Sequence, residues 1–133
     1  MIEYMEELTK VYEVLNWYVE DNCIVEVAEK CFSTKEVADS YINHLKTNNI
    51  DKAYYVEEHI VFTDNAPPME KITRLYEVYA VYVEFDGDQT SETLKLFATK
   101  EAAERYIDHL EKIKIDSETY YGLVDYELYN DFT

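Results

Sequence analysis

The sequence predicts an α+β protein built from two tandem ββαβ repeats. Each would hold an antiparallel three-stranded sheet and one helix, packed together as one compact pseudo-two-fold body. The first observation is internal repetition. Thr9-Lys10-Val11-Tyr12-Glu13-Val14 returns as Thr73-Arg74-Leu75-Tyr76-Glu77-Val78, an offset of 64. Phe32-Ser33-Thr34-Lys35-Glu36-Val37-Ala38 returns as Phe97-Ala98-Thr99-Lys100-Glu101-Ala102-Ala103, and Tyr41-Ile42-Asn43-His44-Leu45 as Tyr106-Ile107-Asp108-His109-Leu110, both at an offset of 65. The second observation is that the β-branched and aromatic runs before and after each helical stretch read as strands. The third is that apolar residues between them recur at helical spacing.

The elements follow in chain order. Residues 2 to 8 read as a short extra helix. The first strand covers about Val11 to Val19, and Leu75 to Phe85 in the second copy; apolar residues on both faces mark it as central. A turn follows at Glu20-Asp21-Asn22, and at Asp86-Gly87-Asp88 in the second copy, where Asp-Gly is a tight-turn signal. Second strands run from Cys23 to Phe32 and from Thr90 to Phe97. Helices span Thr34 to Lys46 and Thr99 to Ile113. Val37, Ala38, Tyr41, Ile42 and Leu45 form the apolar face of the first; Ala102, Ala103, Tyr106, Ile107, Leu110 and Ile113 form that of the second. Ser33 with Glu36 makes a capping box, which Ala98 breaks in the second copy, leaving Thr99 as cap. The last strands are Tyr54 to Phe62 and Leu123 to Tyr129. The domain organisation is therefore a first repeat over 1–64, a linker over 65–71 containing Pro67-Pro68, and a second repeat over 72–133.

Charge restricts the function. The chain of 133 residues has 29 acidic and 12 basic side chains, a net −17, with 15% aromatic residues. So many aromatics exclude a disordered acidic tail. Direct binding to nucleic acid or to anionic membrane requires a positive surface and is excluded. Residues 1–64 carry 14 acids and 5 bases, and residues 65–133 carry 15 and 7, so both halves are acidic throughout. No apolar run approaches the roughly 20 residues of a membrane span and no leader pattern opens the chain, giving a cytoplasmic expectation. Cys23 and Cys31 on one extended strand would stand roughly 26 Å apart, beyond disulfide reach.

The quoted motifs, Phe-[Ser/Ala]-Thr-Lys-Glu-[Val/Ala]-Ala opening the helix and Tyr-Ile-x-His-Leu closing it, resemble small ββαβ domains of bacteria and their phages. By size and charge the chain is also similar to phage anti-defence proteins, including DNA mimics and anti-CRISPR proteins. That resemblance implies a non-enzymatic inhibitor whose partner is a basic nucleic-acid-binding protein, such as a nuclease or a CRISPR effector, blocked by nucleic-acid mimicry.

Catalytic and metal chemistry find little support in the residues. Gly87 and Gly122 are isolated, so no phosphate-cradling loop exists. His44 and His109 owe their equivalence to the duplication, and His59 reads as an ordinary strand histidine. Asp86, Asp88, Thr90 and Glu92 resemble the start of a calcium loop, but the glycine is misplaced and the terminal glutamate is missing. No cofactor, metal or catalytic residue is expected. Partner binding falls instead on acids. Glu101, Glu104, Asp108 and Glu111 share one helical face and span roughly 15 Å, comparable with a few phosphates. Glu57, Glu58, Asp86, Asp88, Asp125 and Glu127 extend the array, with Glu20, Asp21 and Asp131 at turns and strand ends. The competing expectation is an interaction or assembly module, including a homodimer, whose charge serves solubility alone.

Overall fold

A computed structural model describes residues 8–48, 52–63, 66–114 and 118–131. The elements are β1 (Leu8–Glu20), β2 (Cys23–Phe32), α1 (Lys35–Asn48), β3 (Ala53–Phe62), a 3-10 turn (Met69–Lys71), β4 (Arg74–Val83), β5 (Gln89–Phe97), α2 (Lys100–Ile113) and β6 (Thr119–Tyr129). Of the helix expected over residues 2 to 8, all but the last residue lies outside the described residues, and Leu8 opens β1 instead.

The strands do not form two antiparallel three-stranded sheets, so the expected fold class is corrected. They follow one another as a closed mixed barrel in the order β1-β2-β6-β4-β5-β3. β1–β2 and β4–β5 are antiparallel hairpins. Closure comes from two parallel pairings, Cys31 and Phe32 with Leu128 and Tyr129, and Val61 and Phe62 with Leu96 and Phe97. The physical reason lies at the edges. In an isolated three-stranded sheet β2 and β5 would each expose unpaired backbone groups. Here the ends of β6 and β3 occupy those edges.

Two contact-dense units result, and each contains the end of a strand that starts in the other. One gathers residues 10–60, 68–73 and the chain from Glu127; the other gathers 61–67 and 74–126. In the first, Val14, Phe32, Ala38, Tyr41 and Ile42 are buried together, with Tyr12, Val37, Leu45, Tyr54, Val56 and Tyr129 packed on them. In the second, Val78, Phe97 and Ala103 are the buried centre, covered by Phe62, Tyr76, Leu94, Ala102, Tyr106, Ile107, Leu110 and Leu123. Ile113, expected on the apolar face of α2, is 58% exposed.

Local chemistry explains the turns and caps. The two-residue turn between β1 and β2 needs positive φ at both positions, and Asp21 (φ 51°) and Asn22 (φ 64°) supply it because short polar side chains tolerate that region. Gly87 (φ 89°) does the same in the longer second turn, where the Asp88 N–H donates to the Asp86 carboxylate at 3.0 Å. The expected Ser33–Glu36 capping box does not form. The Ser33 N–H donates to the Tyr129 carbonyl at 3.0 Å, so the helix starts later and Thr34 Oγ1 accepts from the Val37 N–H at 3.3 Å. Thr99 caps α2 in the same way, accepting from Ala102. Both hairpins carry a β-bulge at equivalent places, after Val14 and after Val78. Among the described residues no helix is long and apolar enough to cross a membrane.

Candidate functional site

All thirteen acids singled out from the sequence are exposed, and they divide between the two units. Glu101, Glu104, Asp108, Glu111, Asp86, Asp88 and Asp125 belong to the unit of residues 74–126, whereas Glu57, Glu58 and Glu127 belong to the other. On α2, Lys100 lies 3.7 Å from Glu104 and Lys114 lies 3.1 Å from Glu111. These exposed pairs contribute little to stability, yet they reduce the charge the helix face presents. Asp125 is held by Arg74 at 3.0 Å and Glu58 by Lys10 at 3.5 Å. Glu127 accepts the Tyr129 hydroxyl at 2.5 Å. That hydrogen bond is the main reason the Tyr129 phenol is pushed up from its ordinary value. Asp86 is engaged in its own turn. A half-open cavity of about 380 Å³ is lined by Tyr76, Lys100, Leu123 and Asp125, and its two charged groups are paired with Glu104 and Arg74.

The hairpin β1–β2 is different. Trp17 pairs with Glu26 and Val19 with Ile24, so alternation puts these four side chains on one face. Trp17 is 41% exposed, Val19 63% and Ile24 74%. Glu26 shares that face, Glu20 and Asp21 follow at the strand end and in the turn, and among the described residues no ion pair involves any of the three. Between Trp17 and Ala28 the sequence contains no lysine or arginine. Glu26 accepts a hydrogen bond from Tyr55, whose phenol is pushed up to about 12, first by that bond. The equivalent hairpin places Gln89, Thr90 and Ser91 where the first has Ile24, Val25 and Glu26. The fold therefore does not require the apolar choice. Sequence reasoning named Glu20 and Asp21, assigned Trp17 and Val19 to a central strand, and did not single out Ile24.

A second cluster was also missed. Glu13 on β1 and Glu57 and His59 on β3 bring their donor atoms within 4.8 Å of one another, with His59 Nε2 3.0 Å from Glu13 Oε1. The pattern Glu57-Glu58-His59 carried the signal, since positions i and i+2 of a strand share a face. Directly opposite Glu13 is Cys31. Burial, and then the Glu13 charge, push its thiol up to about 12, which makes it unreactive near neutrality. Cys23 is exposed. No protein family, characterised protein or solved structure matches the chain.

Proposed function

We propose that the protein is a binding module for a basic protein surface, and that it inhibits a nucleic-acid-binding partner by occupying the surface that nucleic acid would use. The observation that carries this reading is the β1–β2 hairpin, where Trp17, Val19 and Ile24 are exposed on one face with Glu26, and Glu20 and Asp21 follow at the strand end and in the turn. An amphipathic aromatic beside aliphatic residues gives a desolvated centre. The surrounding carboxylates favour lysine- and arginine-bearing partners and speed encounter with them. The hairpin is favoured over the α2 face, where Glu104 and Glu111 are paired with Lys100 and Lys114. The phage anti-defence reading is the specific form of this proposal that the overall charge favours.

The test is affinity capture from host cells, followed by binding assays with the purified partner. Binding should compete with DNA or RNA, weaken steeply with salt, and fall at least tenfold on Trp17→Ala or Ile24→Glu. Reversing Glu104 and Asp108 to lysine should have a smaller effect. Binding that survives high salt and the hairpin variants would overturn the proposal. The same apolar face favours a second reading, self-association, which light scattering would reveal as a concentration-dependent dimer abolished by Ile24→Glu.

A further inference from the structure

We propose that Glu13, Glu57 and His59 form a binding site for a first-row divalent transition cation. Their donor atoms lie within 4.8 Å of one another. Ligands bound at about 2.1 Å stand roughly 3–3.5 Å apart around a tetrahedral ion, so a contraction of an ångström or so completes the geometry. Rotation about glutamate side-chain torsions supplies it without moving backbone. His59 Nε2 and Glu13 Oε1 are already 3.0 Å apart.

The chemistry of the donors selects the ion. Two carboxylates balance the charge of a divalent cation, and one imidazole nitrogen favours zinc, iron, cobalt or manganese over calcium or magnesium. All three donors stand on strands, which fix their Cβ positions more firmly than loops would. Glu13 and His59 are half-buried and Glu57 is exposed. The fully buried Val11, two residues from Glu13, lies on the same face of β1. Water then completes the coordination from the open side.

The duplicated half shows that the fold does not need this set. Glu13 corresponds to Glu77, which accepts the Thr93 hydroxyl at 3.1 Å instead. The parallel pairings match Val61 with Leu128, each beside its equivalent residue, Leu96 or Cys31. Counting back along the strands, His59 corresponds to Tyr126 and Glu57 to Val124. Among the described residues three donors converge in one half only, where the equivalent positions elsewhere carry a tyrosine and a valine. The proposal is independent of the partner-binding reading, because none of the three residues belongs to the exposed Trp17–Ile24 surface.

Calorimetric titration of the metal-stripped full chain with Zn2+ tests it. The expected result is one saturable equivalent in the micromolar range or tighter, weakened at least tenfold by Glu57→Gln and by His59→Gln. His44→Gln and His109→Gln should leave it unchanged. Glu57 is exposed, so its variant keeps the fold, which far-UV circular dichroism checks. Absence of saturable binding, or binding of equal affinity in Glu57→Gln and His59→Gln, overturns the proposal, the latter by assigning the ion to the general acidic surface.

Discussion

Lys95 holds its ammonium nitrogen 4.4 Å from the ring centre of Phe62 and 4.8 Å from that of Tyr106. Lys30 repeats the arrangement in the first half, 4.7 Å from Tyr129 and 5.3 Å from Tyr41. Each lysine thus bridges a helix tyrosine and an aromatic residue at the end of a last strand. Phe32 and Tyr41 stand 5.2 Å apart at 50°, and Phe97 and Tyr106 5.4 Å apart at 46°, so the underlying aromatic pairs are repeated as well.

Lysine stems covering aromatic faces contribute through packing and through attraction to the ring quadrupole. Lys30→Ala and Lys95→Ala should each lower stability by about 1–2 kcal/mol in urea unfolding. Lys112→Ala, on the exposed side of α2, should stay within about 0.5 kcal/mol of the parent.

Asn16 is 1% exposed in a position where the second half has the buried Ala80. Its amide donates to Glu29 at 2.5 Å, while its Oδ1 is buried without a partner among the described residues. Losing that hydrogen bond and relieving the orphaned carbonyl act in opposite directions. Asn16→Ala should therefore change stability by less than about 1 kcal/mol, whereas Val14→Ala, nearby on the same strand, should cost about 2–3 kcal/mol. Paired urea titrations distinguish the two.

Gly122 lies against the ring of Tyr79, and a Cβ there would overlap the Tyr79 Cζ and Oη atoms. Gly122→Ala should cost about 1–3 kcal/mol through this overpacking. In a Tyr79→Ala background the cost should vanish, a coupling that a double-mutant cycle measures.

Alkaline pH should loosen the fold. The Cys31 thiol rises from 9.0 to about 12, with burial as the larger cause. The folded state therefore keeps a proton that the unfolded state releases. This stabilisation is complete below about pH 9 and is lost as pH climbs towards 12. Desolvation raises Tyr41 and Tyr106 in the same direction. Cys31→Val should flatten the fall in unfolding free energy above about pH 9. In native protein, thiol reagents should label Cys23 alone.

Much of the local structure was legible. Periodicity located β2 from Cys23 to Phe32, and the Asp-Gly pair located the second hairpin turn. What escaped was non-local. The pattern of β3 and β6 indicates which face each residue takes, but it does not say that Val61 continues beside Leu96 or Leu128 beside Cys31. Those pairings follow from the need to satisfy two strand edges, a demand created only once the hairpins exist. Capping moved by one residue for the same reason, because Tyr129 claims the Ser33 amide. The acids of the site were visible as residue types, whereas their neutralisation by Arg74, Lys10, Lys100 and Lys114 depends on rotamers and strand neighbours. Exposure of Trp17 and Ile24 was hidden because an apolar strand residue looks the same whether its face is covered or open.

The exchange of strand ends makes the linker dispensable once folding is complete. A protease cutting between residues 63 and 66 would sever the chain without separating its products, since Val61 and Phe62 stay paired with β5 and Leu128 and Tyr129 stay paired with β2. Neither fragment would be self-sufficient, because each supplies the strand end that closes an edge in the unit to which the other contributes most. Co-expressed halves should accordingly reconstitute the protein by complementation, while either half alone would present an open strand edge to aggregation.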